Sequence, residues 1–211
     1  QRVDPDDAER LTEVLVQFAR GLAFRVAVFE VRGEIPLMQV SDQQDALGLA
    51  VLGYGKLGGL EMSYGSDLDL VFVHGIDADH LTDGETPIEG GVFVNRVVRR
   101  VIALIETNTR FGRLYDIDTR LRPSGRSGLM VIGLDALKKY LDESAWTWEL
   151  QAFVRARPVA GDRQLSAMLK ALRSDILQQS REPQVLLKDV VEMREKMRSH
   201  LGSGPSDVGF D

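Results

Sequence analysis

Apolar positions recur along this chain with two distinct periods. Over residues 4–32, Leu11, Val14, Leu15, Phe18, Leu22 and Val26 return every third or fourth position, which predicts one long helix. Asp4-Pro5-Asp6-Asp7 supplies its start: a capping side chain, a proline in the first turn and acidic groups at the positive end of the dipole. Gly33 and Pro36 end it, and a short connector covers 36–42. A second stripe, Phe93, Val94, Val97, Val98, Val101, Ile102 and Ile105, predicts a helix over 91–107 that carries Arg96, Arg99 and Arg100 elsewhere. Further helices are expected over 134–141, 146–154, 163–179 and 184–201.

Between these stripes the pattern changes to alternation or to short unbroken apolar runs, the marks of strands. Strands are expected over 47–52, 67–74, 114–121 and 129–132, with Pro123-Ser124-Gly125 as a turn. Residues 156–160 read as an edge strand, because Pro158 lacks the N–H that a central position needs. The whole predicts an α+β protein with a small mixed sheet flanked by helices. It divides into an N-terminal helix and connector over 1–46, a core over 47–162 and a helical C-terminal region over 163–211.

The strand over 67–74 carries the candidate chemistry. Period two puts Asp67 and Asp69 on one side, and Leu68 and Leu70 on the other, toward a core. Two anions held this close repel unless a cation sits between them. Paired oxygen ligands suit Mg²⁺, a hard cation often shared with substrate phosphates. Just upstream, Gly53-Tyr54-Gly55-Lys56-Leu57-Gly58-Gly59 is a turn able to cradle phosphates. It matches the dinucleotide fingerprint literally, but the aspartate strand follows too soon for a crossover helix. A P-loop is excluded as well, since Gly55-Lys56 is followed by Leu57. Asp118, with Asp116 on the same face of another strand, adds a third carboxylate. Three carboxylates from two adjacent strands can hold two divalent ions around a triphosphate, one activating an attacking hydroxyl and one steadying pyrophosphate. The bland alternative for each aspartate is a solvated strand face.

Composition narrows the setting. Hydrophobic residues make up 44% and charged residues 27%, as in ordinary globular proteins. With no cysteine, disulfides and thiolate metal sites are excluded. A formal net charge of −6 argues against a broad nucleic-acid surface. No apolar run approaches a membrane span and no signal peptide is visible. His74, His80 and His200 lie far apart, without metal-ligand spacing. Gln1 is not an initiator residue, so a fragment or processed piece is expected.

The motifs from Gly53 to Leu70 resemble the signature of the glutamine synthetase adenylyltransferase family. So do Asp118-Thr119-Arg120-Leu121-Arg122-Pro123-Ser124-Gly125, Trp146-Thr147-Trp148-Glu149 and Val154-Arg155-Ala156-Arg157. The resemblance runs from near Val3 to near Asp211. It implies a polymerase-beta-like nucleotidyltransferase fold with a triphosphate-binding glycine turn and two Mg²⁺ on three aspartates. It implies Mg²⁺-dependent transfer of AMP from ATP to a tyrosine of glutamine synthetase, in the cytoplasm, with the PII signal protein acting through the full-length enzyme and no nucleic acid or membrane as partner.

Carried over residue by residue, Asp67, Asp69 and Asp118 are the metal ligands, and Asp118 is also the candidate base. Gly55, Lys56, Gly58 and Gly59 would hold phosphates, with Ser66 a candidate donor; Lys56 alternatively only solvates the turn. Arg120 and Arg122 pair either with the aspartates or with phosphate, and Arg155 and Arg157 are weaker candidates. Trp146 and Trp148 are expected to pack under the site rather than to stack on adenine. Such enzymes hold two related domains. The segments over 36–42 and 145–152 are similar to the copy that adds AMP rather than the one that removes it by phosphorolysis. A nucleotide-binding module without transfer activity is the remaining alternative. Two departures from the family stand out: a very short connection after Asp42, and an end at Asp211, near the beginning of a further strand.

Overall fold

A computed structural model describes residues 48–200, apart from 64, 78–79, 83–85 and 108–114. The expected helix over 4–32 and connector over 36–42 lie outside the described residues. The sheet is built from β1 (Leu49–Gly53), β2 (Leu68–His74), β3 (Ile117–Asp118), β4 (Val131–Gly133) and β5 (Arg157–Gly161). Its order is β3-β2-β1-β5, with β4 also pairing with β2. β1 runs antiparallel to both β2 and β5, whereas β3 and β4 run parallel to β2. β3 meets the start of β2 and β4 meets its end, so one side of β2 is shared by two short strands. The sheet is therefore small and mixed, and β5, which carries Pro158, lies at its edge, the place in a sheet that tolerates proline.

The period-two pattern sorts the strand residues between two apolar layers. Leu49 and Val51 of β1 and Leu68, Leu70 and Phe72 of β2 face one layer. Helix α2 (Gly90–Ile105) fills it with Phe93, Val94, Val97, Val98, Val101 and Ile105. Arg96, Arg99 and Arg100 are exposed on the other side of that helix. Ala50, Leu52, Val71 and Val73 face the opposite layer. There they meet Leu137 and Leu141 of α3 (Leu134–Glu143), Phe153 of α4 (Thr147–Phe153), and Leu165, Leu169, Leu172 and Ile176 of α5 (Arg163–Gln178). Helix α5 starts where the buried Asp162 carboxylate accepts the Leu165 N–H at 2.7 Å, an N-cap that replaces a lost helical partner. The last described helix, α6, is Pro183–His200. Among the described residues no helix is long and apolar enough to cross a membrane.

Two segments differ from expectation. The glycine-rich stretch after β1 closes into a single helical turn, α1 (Gly55–Gly58), because the Gly58 N–H reaches the Tyr54 carbonyl at 2.7 Å and the Gly59 N–H that of Gly55 at 3.0 Å. The strand expected over 114–121 shrinks to two residues among those described. Its aspartate ends it: the Asp118 carboxylate takes the Arg120 N–H at 2.8 Å and folds the chain away from the ladder.

Candidate active site

The start of β2 is the meeting point. Asp67 lies one residue before the strand and is exposed; Asp69 is its second residue and is half-buried. β3 runs parallel with Asp118 in register with Asp69, so both carboxylates stand on the same face of the sheet. The Tyr54 N–H donates to the Asp69 carbonyl at 2.9 Å, which continues the β1–β2 ladder into the start of α1. Gly55 then has φ of +49°, and a Cβ there would collide with Oδ2 of Asp69. Only glycine satisfies both the left-handed backbone and this approach. The sequence-predicted glycine turn and aspartate strand are thus in direct contact.

The charges bear this out. Asp69 is held above the usual carboxylate range, first by burial, then by the neighbouring Asp118 and Asp67 carboxylates; Arg120 and Lys56 oppose the shift. Burial and mutual repulsion are what a bound cation would relieve. Three carboxylates on one face are a suitable donor set for Mg²⁺. Among the described residues they are not drawn into a three-ligand cluster. Asp118 spends both oxygens on Arg120, whose Nε lies 3.0 Å from Oδ1 and 2.7 Å from Oδ2, and whose Nη2 also pairs with Oδ2. Arg120 is itself 64% exposed, so it can swing away without disturbing the core.

The remaining candidates divide between the site and its supports. Lys56 is exposed on α1, and its charge acts on Asp69. Ser66 is buried; its Oγ accepts the Ser63 N–H at 3.1 Å and lies 2.9 Å from the Ser63 hydroxyl, stapling the loop before β2. Arg122 is buried too. Its Nη1 donates to the Thr119 carbonyl and hydroxyl at 2.7 Å each, and its Nε to the Gly128 carbonyl at 3.3 Å, closing the loop between β3 and β4. Gly58 packs against backbone, since a Cβ there would collide with the Arg155 carbonyl oxygen. Gly59 faces the Arg155 guanidinium.

Trp146, expected beneath the site, is instead 68% exposed at the N-cap of α4. Its backbone N–H is held by the Glu149 carboxylate at 2.9 Å, which also receives the Tyr140 hydroxyl at 2.7 and 2.8 Å. Trp148 is half-buried, and both indoles border a groove between α4 and α6. Tyr54 is buried, with its ring centroid 6.2 Å from that of Phe153, and its phenol is pushed well above its ordinary pKa by burial first and Glu149 second. The supports are Glu61, which sequence reasoning left without a role, and Arg155 and Arg157, which it offered only as weaker candidates for pairing with the aspartates or with phosphate. Arg155 pairs with Glu61, and Arg157 donates to the carbonyls of Leu57 and Gly58. These partners are remote in the chain, and no local pattern announces them.

Residues 41–172 match a family model described as glutamate-ammonia ligase adenylyltransferase. A curated relative from Hahella chejuensis (strain KCTC 2396), named bifunctional glutamine synthetase adenylyltransferase/adenylyl-removing enzyme, is 43% identical over 241 aligned residues. That match covers 99% of this chain and 25% of the relative, so the chain spans about a quarter of the length of the protein it resembles. The aligned length exceeds the 211 residues of this chain, so the relative carries segments without a counterpart here.

Proposed function

The chain belongs to the glutamate–ammonia ligase adenylyltransferase family, and we propose that it transfers AMP from ATP to a tyrosine of glutamine synthetase. The observation that carries the proposal is the placement of Asp69 and Asp118 in register on parallel strands, with the glycine turn of α1 against Asp69. This is the arrangement expected of a polymerase-beta-like nucleotidyltransferase, the fold we assign to the core over 47–162.

In this reading the tyrosine oxygen attacks the α-phosphorus of ATP, and the bond to pyrophosphate breaks. Asp118 accepts the phenolic proton once Arg120 has released it. Asp67, Asp69 and Asp118 would hold two Mg²⁺. When bound, these ions supply charge neutralisation along the triphosphate and lower the proton affinity of the attacking hydroxyl. Gly55, Gly58, Gly59 and Lys56 bring α1 and its positive charge to the phosphates, and Arg120, freed from Asp118, is a further phosphate partner. Ser66 and Arg122 shape the loops on either side. Catalysis is then mainly positioning and charge stabilisation. The setting is cytoplasmic nitrogen regulation, with glutamine synthetase as substrate and the PII signal protein as a partner of the longer enzyme.

The name of the Hahella relative carries a second activity, adenylyl removal. The segments over 36–42 and 145–152 favour addition. Unmodified glutamine synthetase, labelled ATP and Mg²⁺ are expected to give protein labelled on tyrosine. Adenylylated glutamine synthetase with phosphate is expected to release no ADP above background. Both assays should be repeated on a longer chain continuing past Asp211. Phosphorolysis without transfer there would assign this domain to removal. Nucleotide binding with neither reaction would make it a regulatory module.

A further inference from the structure

The arginines of Val154-Arg155-Ala156-Arg157 take no part in the reaction described above, yet they hold its phosphate turn. Arg157 opens β5 and pairs in register with Gly53, the last residue of β1. From there its half-buried guanidinium reaches the far end of α1. Nε donates to the Gly58 carbonyl and Nη2 to the Leu57 carbonyl, each at 3.0 Å. A one-turn helix cannot satisfy its own last carbonyls, so these bonds complete it. Gly58 seats directly on the Arg155 carbonyl oxygen, and Arg155 reaches Glu61 just beyond the turn. The opposite end of α1 leans on Asp69 through Gly55. The turn is thus fixed between an arginine at one end and a candidate metal ligand at the other.

We propose that Arg157 is a positioning residue for nucleotide binding: by gripping Leu57 and Gly58 it sets the distance of Gly55 and Lys56 from Asp69, and so the width of the triphosphate seat. The inference rests on the nucleotidyl-transfer reading of the site. A guanidinium suits the task because its planar fork reaches two carbonyls at once, whereas a lysine ammonium is a point donor on a floppier stem. A purely architectural arginine would, when replaced, lower thermal stability and leave the affinity of the folded molecules for nucleotide intact. A positioning arginine changes that affinity in a chain that is still folded.

The test uses Arg157→Gln and Arg157→Lys with a non-hydrolysable ATP analogue and Mg²⁺. Binding is measured by calorimetry well below each thermal midpoint, and circular dichroism reports folding. Arg157→Gln is expected to bind the analogue about tenfold more weakly, a displaced seat being costly even for small shifts. Arg157→Lys should fall between Gln and wild type. In transfer assays KM for ATP should rise by more than kcat falls, because Arg157 does not touch the reacting atoms. A folded Arg157→Gln chain that binds as tightly as wild type overturns the proposal. If the Gln variant fails to fold, Arg157→Lys carries the test, and wild-type affinity in it overturns the proposal equally. A wild-type chain that binds no analogue would sink the nucleotidyl-transfer reading and this inference together, whereas normal wild-type binding with an indifferent Arg157 would sink the inference alone.

Discussion

One face of β2, with the residue that leads into it, presents two pairs of side chains under opposite conditions. Val71 and Val73 are fully buried against Leu137, Leu165 and Leu169, beneath α3 and α5. Asp67 and Asp69 continue the same row toward the start of the strand, one exposed and one half-buried, beside Asp118 and the glycine turn. The backbone geometry is common to both pairs; only the cover differs. The valine end anchors the strand, and the aspartate end uses that anchorage to hold like charges at a fixed spacing. Repelling carboxylates on a loop would drift apart, but on a strand anchored downstream they cannot.

Replacing a carboxylate should therefore destroy function and spare the fold. Asp69→Asn removes charge with little change of volume. Transfer is expected to fall on the order of 10³-fold, about 4 kcal/mol, the scale of metal-assisted charge stabilisation. Asp67→Asn should behave alike, with unchanged circular dichroism in both. Near-normal transfer in both single variants would remove the metal-site reading.

The valine end should show the reverse. Val73→Ala deletes buried methyl groups and leaves a void, at a cost of about 2 kcal/mol in denaturant unfolding. Affinity for an ATP analogue, measured where the variant is still folded, should stay at the wild-type value. A loss of affinity without a loss of stability would mean that the two ends of the strand are not separate in role.

Much of this contrast was legible in the sequence. Alternation in 67–74 placed the aspartates opposite Leu68 and Leu70, and the stripe from Phe93 to Ile105 marked the helix that the structure packs beneath those leucines. Pro158 marked an edge strand for the physical reason that holds in the fold. What escaped depends on side chains that answer to distant or competing partners. Leu114 to Leu121 alternates like a strand, yet the Asp118 carboxylate captures the Arg120 N–H and turns the chain after two paired residues. Trp146 looks like core, but as N-cap of α4 it lies outside the helix whose apolar face is buried, and Phe153 takes the buried place. Arg157 could not be assigned because its acceptors are backbone carbonyls roughly a hundred positions upstream, and carbonyls leave no trace in a pattern of residue types.

Arg120 sharpens the comparison at the aspartate end. It supplies the positive charge that the three carboxylates need when they stand alone, and it occupies Asp118 in doing so. Arg120→Ala should therefore tighten the binding of Mn²⁺ alone, followed by electron paramagnetic resonance, because the competing cation is gone. The same variant should bind metal–ATP no better than wild type and transfer more slowly, since the proposed function makes Arg120 a phosphate partner as well. Weaker binding of free Mn²⁺ in this variant would show that Arg120 orders Asp118 for the metal instead of competing with it.

The smallest effect is on stability, and its sign separates the two ends of β2 most cleanly. In the folded chain Asp69 is held above the usual carboxylate range, by burial first and by Asp118 and Asp67 next, against Arg120 and Lys56. The fold therefore binds this proton more tightly than the unfolded chain does. Below about pH 4 the group is protonated in both states and costs nothing. As pH rises through the raised folded pKa, the ionised form must be kept in an unfavourable place and stability is lost. Asp69→Asn avoids that cost. With divalent cations chelated, its thermal midpoint should lie above that of wild type at pH 7, and the gap should close as pH falls toward 4. Saturating Mg²⁺ should then raise the wild-type midpoint by mass action and leave the Asn variant nearly unmoved. A valine-end variant such as Val73→Ala should show neither the pH-dependent gap nor any change in the Mg²⁺ response. If Asp69→Asn were less stable than wild type at pH 7 without metal, the carboxylate would be a net structural contributor, and the division of β2 into an anchoring end and a strained, functional end would fail.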